Sequence, residues 1–174
     1  MSGKRGIAVL AVENLKKELS NRLSGIKRVA VLGIGSQLKG DDAAGIIAAM
    51  RLKELIAKKS LSRDVEIFIG GTAPENITSE IKRFGPSAII IIDSADIGSS
   101  PGSIGLIDAE DIGGISLSTH NLPATMLIEY LKQFLKCEVW IMGIQPKSLK
   151  FGEELSPEVS KTSESLAQMM AGLF

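Results

Sequence analysis

The order of apolar runs predicts an α/β protein, a three-layer sandwich in which a mostly parallel, twisted sheet is flanked by helices, with one antiparallel edge strand. Two observations carry this expectation. Short Val/Ile/Leu runs alternate with amphipathic stretches at spacings of roughly 20–30 residues, the rhythm of right-handed βαβ units. The segment "SAIIIIDSAD" (87–96) holds four consecutive isoleucines, and a continuous apolar run of that kind marks a strand buried on both faces, as in parallel sheets. At 174 residues the chain suits one such domain better than two.

Taken in order, residues 10–24 set Leu15, Leu19 and Leu23 at helical spacing among charged residues, which predicts an amphipathic helix ahead of the main domain. The chain is therefore divided into a helical extension (1–26) and a single α/β domain (27–174). Because the leucine stripe must be covered, the helix is expected to pack on its own domain or on a second copy, which makes self-association a candidate contact. "RVAVLGIG" (28–35) is a buried strand closed by glycines. "DDAAGIIAAMRLKELIAKK" repeats apolar residues at three and four and ends in basic residues suited to a helix C-terminus. "DVEIFIGG" (64–71) is a second strand, and "APENITSEIKRFG" a helix with Pro74 near its first turn and Gly85 past its end. After the isoleucine strand, "GSIGLID" (102–108) reads as the antiparallel strand. "NLPATMLIEYLKQFLK" is a helix and "EVWIMGIQP" a further buried strand. "SPEVSKTSESLAQMMAGLF" is a closing helix with Ser156 as cap and Pro157 in its first turn.

Composition removes several function classes. Twenty basic and twenty acidic residues cancel, so no net field draws nucleic acid or an anionic membrane. No apolar run reaches the ~18 residues of a membrane span. The N-terminus shows no small-residue cleavage site after its apolar stretch, and the expected location is the cytoplasm. Cys137 is the only cysteine, which excludes an intrachain disulfide and a thiolate metal cage; a buried, inert thiol is expected. His120 is the only histidine, so any imidazole chemistry passes through it.

In open α/β sheets, ligands bind beyond the carboxyl ends of the strands. Asp42 follows the first strand by a short loop, Asp93 ends the isoleucine strand, and His120 lies in the loop before a helix. Two carboxylates and one imidazole suit a borderline divalent metal such as nickel, zinc or ferrous iron. Three protein ligands would leave positions open for substrate. Each residue also has a plainer reading: Asp42 as a helix cap, Asp93 as an acceptor for the loop after its strand with Asp96 its competitor, and His120 as a loop or capping residue. "GIGSQLKGDD" is not a phosphate loop. Leu38 stands where G-x-G-x-x-G needs glycine, and Asp41 follows Gly40 where the P-loop needs lysine. "GGTAPEN" (70–76) is either a turn into a helix or a loop that holds an extended peptide, with Gly70 and Gly71 allowing close approach of backbone and Glu75 just beyond.

Five motifs in register, "GIGSQLKGDDAAG" (33–45), "GGTAPEN" (70–76), "IIIIDSADIGSSPGSI" (89–104), "STHNLP" (118–123) and "GIQP" (143–146), resemble those of hydrogenase maturation proteases. The branch most similar acts on hydrogenase-3-type large subunits. The resemblance covers roughly residues 28–172, leaving the first ~26 residues as an extension. It implies an endopeptidase that removes a C-terminal extension from the nickel-loaded large-subunit precursor of a nickel–iron hydrogenase. It also implies that Asp42, Asp93 and His120 meet the nickel, which belongs to the substrate, and that no organic cofactor is required. Many relatives carry an acid before the double glycine where this chain has Ile69; Glu75 is the nearby substitute, making Gly70, Gly71 and Glu75 a candidate substrate loop. Bond cleavage has two candidate routes. In one a carboxylate, Asp42 first, activates water as in an aspartic-type peptidase; in the other the metal docks the substrate and geometry does the rest. The alternatives are a metal-dependent hydrolase of another substrate on the same fold, and a nickel-sensing maturation chaperone that does not cleave.

Overall fold

The computed structural model describes residues 8–112, 116–117 and 124–174. The elements in chain order are β1 (Ala8–Val9), α1 (Val12–Arg22), β2 (Arg28–Ile34), α2 (Ala44–Ile56), β3 (Asp64–Gly71), α3 (Thr78–Phe84), β4 (Ala88–Asp96), β5 (Ile104–Asp108), β6 (Ser116–Leu117), α4 (Ala124–Phe134), β7 (Glu138–Ile144) and α5 (Pro157–Ala171). The sheet runs β1-β5-β7-β4-β2-β3, with β6 attached to the end of β4. Strands β3, β2, β4 and β7 are mutually parallel. β5 runs antiparallel to β7, as its sequence leads one to expect.

The isoleucine run explains the layering. Side chains alternate across a strand, so Ile90 and Ile92 enter one core while Ile89 and Ile91 enter the other. Helices α1, α2 and α5 cover the first face through Leu19, Leu52 and Leu166, packed with Val31 and Met142. Helices α3 and α4 cover the second through Ile81, Leu127 and Leu131, packed with Leu32 and Ile141. Both faces of the central strands are dry, which is why their sequence shows no polar alternation. No helix among the described residues is long and apolar enough to cross a membrane.

Three local features differ from the sequence expectation. Helices α2 and α3 start later than the apolar pattern indicates, because a 3₁₀ turn precedes each: Gly40–Ala43 before α2 and Pro74–Ile77 before α3. Tight i→i+3 turns are a common way to enter an α-helix, and periodicity alone does not separate the two. Strands β1 and β6 have two residues each, too short to carry a period-2 signal. β1 pairs antiparallel with the outer side of β5, Ala8 opposite Leu106. The capping role expected of Ser156 is also corrected. It occupies the N-cap position of α5, but its side chain makes no capping bond and instead donates to Asp41.

The first helix is built into the domain. Leu15, Leu19 and Leu23 are fully buried in the core shared with α2 and α5. Arg22 donates to the Asp108 carboxylate on β5 and to Glu18, and its guanidinium lies 5.7 Å from the centroid of Trp140 on β7. Partial burial of the Arg22 guanidinium works against its charge, but the bonds to Asp108 and Glu18 outweigh it and hold the group protonated. Arg63 donates to the carbonyls of Leu23 and Ile26 (2.8 and 3.1 Å), tying the segment past the end of α1 to the start of β3. Replacing Leu19 with alanine is expected to cost about 2–5 kcal/mol of stability by cavity formation. Denaturant melts measure this, and an unchanged midpoint would mean that α1 is not part of the cooperative core.

Candidate active site

Strands β2 and β4 are hydrogen-bonded neighbours whose connections leave in opposite directions. From β2 the chain crosses through α2 to β3, whereas from β4 it returns on the other side, through α4, to β7. Such a switch point is where open α/β sheets form their crevice. Both sequence-predicted acids lie here. Asp42 sits in the 3₁₀ turn after β2 and Asp93 near the end of β4. Each is fully buried.

Two close contacts set this geometry. A Cβ on Gly45 would overlap the Ile92 carbonyl oxygen and stand 2.5 Å from that of Ile34. The first turn of α2 therefore rests directly on the ends of β2 and β4, and only glycine permits it. Likewise Gly35, at φ +134°, has the Asp42 carbonyl where a side chain would be. The glycines that resemble a phosphate loop in sequence are thus sites of backbone contact. Ser36 N donates to Asp42 O (3.2 Å) and Asp42 N to Lys39 O (3.0 Å), so the Asp42 backbone is held on both sides. The N-cap of α2 is Ala43, which has no capping side chain.

The neighbouring acid was not singled out by sequence reasoning, and it has a different position. Asp41 is 1% exposed, and its carboxylate accepts four hydrogen bonds. They come from Lys147 N (2.7 Å), Ser148 N (3.1 Å), Ser156 N (2.7 Å) and Ser156 Oγ (3.0 Å). Nothing in the "GDD" doublet indicates which acid faces these donors, because they come from residues more than a hundred positions away. Asp96 is likewise occupied locally. Its Oδ1 accepts from Gly98 N and from Gln145 Nε2, while Gln145 Oε1 receives Ile97 N (2.8 Å) and Ser99 N (3.2 Å). Gln145, the buried polar residue of "GIQP", therefore fixes the loop after β4.

The double glycine is the end of β3 rather than a free loop, and Gly71 O accepts from Gly35 N (3.0 Å), joining it to the Asp42 connection. Glu75 lies in the following 3₁₀ turn, half-buried, with its Oε2 shielded from solvent and without a hydrogen-bond partner among the described residues. His120 lies outside the described residues. The nearest described residue before it, Leu117, pairs with Ala95, two positions past Asp93. Among the described residues no three His, Cys, Asp or Glu side chains gather as a metal site. Cys137 is half-buried against the second core rather than fully enclosed, and burial pushes its thiol above the ordinary range. A thiol so shifted is a poor nucleophile at neutral pH.

A family model described as hydrogenase maturation protease matches residues 49–173. The chain belongs to the hydrogenase maturation protease family. It is 32% identical over 146 residues to the Hydrogenase 3 maturation protease of Escherichia coli K12, covering 82% of this chain and 88% of that protein. Its fold is similar to the crystal structure of a [NiFe] hydrogenase maturation protease, HycI, from Thermococcus kodakarensis. The TM-score is 0.80 at 32% identity over 90% of this chain and 97% of the other. The hydrogenase maturating endopeptidase HybD of E. coli gives a TM-score of 0.65 at 27% identity, over 84% and 91% of the two chains. The family bears out the three-layer fold and identifies the chain as a peptidase, which sets aside the non-cleaving chaperone and the hydrolase of an unrelated substrate.

Gly45→Ala tests the construction of the site. Its methyl group meets two backbone carbonyls that cannot rotate away, so the loss of stability should reach the upper end of the ~1–3 kcal/mol range for overpacking. Circular dichroism melts measure it. Wild-type stability would show that α2 does not rest on the strand ends as described.

Proposed function

We propose that this chain cleaves a C-terminal extension from the nickel-loaded precursor of a nickel–iron hydrogenase large subunit, in the cytoplasm, with Asp42, Asp93 and His120 receiving the precursor's nickel. The observation that carries the reading is the pair of fully buried carboxylates at the switch point of the sheet, Asp42 in the turn after β2 and Asp93 near the end of β4. The third member rests on the sequence: His120 is the chain's only histidine and so the only imidazole it can offer to a metal.

The donor set fits the cargo. Two carboxylates and an imidazole are weaker for nickel than sites with thiolates, so nickel held by the precursor's own ligands would be shared rather than extracted. The nickel then makes recognition conditional on its presence. Docking the metal would bring the scissile bond into a fixed place beside the carboxylates, where positioning supplies much of the rate. A carboxylate, Asp42 first, is the base available to take a proton from the attacking water, in the manner of an aspartic-type peptidase. Gly71 is joined to Gly35 through its carbonyl, and Gly70, Gly71 and Glu75 would line the path of the extended peptide. The outer face of α1 remains available for contact with a second copy.

Asp42→Asn, Asp93→Asn and His120→Ala should each lower processing of nickel-loaded precursor by ~10²-fold or more, as read by mass spectrometry of the released peptide. Wild-type rates in folded variants would remove these residues from the site. Precursor lacking nickel should stay uncut at high enzyme concentration. Its efficient cleavage would show that nickel is not the readiness signal, while leaving the peptidase assignment intact.

A further inference from the structure

We infer that Asp41 is a positioning residue of the proteolytic site: its carboxylate locks the turn that carries Asp42 onto the start of α5 and the segment after β7. This inference rests on the proposed role of Asp42. The Asp41 carboxylate is an acceptor-only group when ionised, and every partner recorded for it is a donor. Oδ1 takes Ser156 N (2.7 Å), and Oδ2 takes Lys147 N (2.7 Å), Ser148 N (3.1 Å) and Ser156 Oγ (3.0 Å). Ser156 is the N-cap residue of α5 and Pro157 its first residue, so the negative charge also stands at the positive end of that helix dipole.

The backbone repeats the connection. Asp41 N donates to Ser148 O (2.9 Å), Gly40 N to Glu153 O (3.0 Å) and Gly152 N to Leu38 O (2.8 Å). The two segments flanking the rim, 38–41 and 147–156, are thereby one hydrogen-bonded unit. Asp42 is the next residue along this unit, its Cα one peptide away from that of Asp41. Asp42 cannot shift along the rim without breaking bonds to Asp41.

Steady-state processing of nickel-loaded precursor tests the inference, using Asp41→Asn, Ser156→Ala and the destabilised control Leu166→Ala, a buried residue of the same helix. All are assayed well below their melting temperatures. Asparagine keeps the shape but sets an NH₂ group against N–H donors, so kcat should fall on the order of 10- to 100-fold with KM within ~3-fold. Ser156→Ala removes one of the four bonds and should lower kcat ~2- to 5-fold. Leu166→Ala should lower the melting temperature while keeping kcat at the wild-type value. The inference is overturned if folded Asp41→Asn retains wild-type kcat. Should that variant not fold, wild-type kcat in Ser156→Ala overturns it. Loss of kcat in Leu166→Ala in proportion to lost stability overturns it as well. If the wild-type protein does not cut the precursor, the proposed function fails and this inference with it. Normal wild-type cleavage with normal kcat in the variants removes only the role of Asp41.

Discussion

The close approach between the first turn of α2 and the ends of β2 and β4 is the constraint on which the rest of the molecule depends. Gly45 lies against the carbonyls of Ile34 and Ile92, and Gly35 against that of Asp42. With side chains at these two positions the helix would stand off from the sheet. The pocket of apolar contacts that α2 makes through Ala44, Ala48 and Leu52 would then open, and the turn holding Asp42 would move with it. Packing and site geometry are thus one requirement here. The contact that lets α2 bury its small-residue face also brings a turn from one strand onto the end of its neighbour.

On the proposed reading, the acid doublet divides two tasks, an anchor at Asp41 and a metal-facing carboxylate at Asp42. A carboxylate that accepts four short hydrogen bonds has its lone pairs committed and is poorly suited to meeting a substrate. Asp41 is in that condition, which makes it an anchor. On that reading, the carboxylate that would meet an incoming cation is left to the next residue, Asp42. Splitting the roles between adjacent residues resolves the conflict, since rigidity at Asp41 is transmitted to Asp42 through one peptide bond.

The fold was largely legible in the sequence because its signals are local and strong. The isoleucine run, the leucine stripe of α1 and the apolar periodicity of α2 and α5 each mark one element and one buried face. The strand order was not legible, since Arg28–Ile34 carries nothing that says it lies between β3 and β4. Nor was the fate of Ser156: a serine before Pro157 carries the usual signature of a helix cap, and only the arrival of Asp41 from far along the chain draws its hydroxyl away. The placement of Asp42 in the connection after β2 and of Asp93 near the end of β4 could be read from flanking residues. That β2 and β4 are neighbours follows from their parallel pairing, which depends on the whole sheet. Asp41 and Gln145 were missed for the same reason, as most of their partners are main-chain groups that no side-chain motif advertises.

A rim built from strand ends has a consequence for recognition. Main-chain groups at the ends of β2, β4 and β7 are fixed by the ladder, so side chains carried there move little, whereas loops can adapt. On the proposed reading, the precursor would bring the metal and the enzyme would bring two rigid carboxylates. A cation is the natural partner on that reading, because a carboxylate gains from an opposite charge brought close to it. A metal-free precursor offers no such charge. On that reading, loaded and unloaded precursor would be told apart by whether they bring the metal that the carboxylates meet.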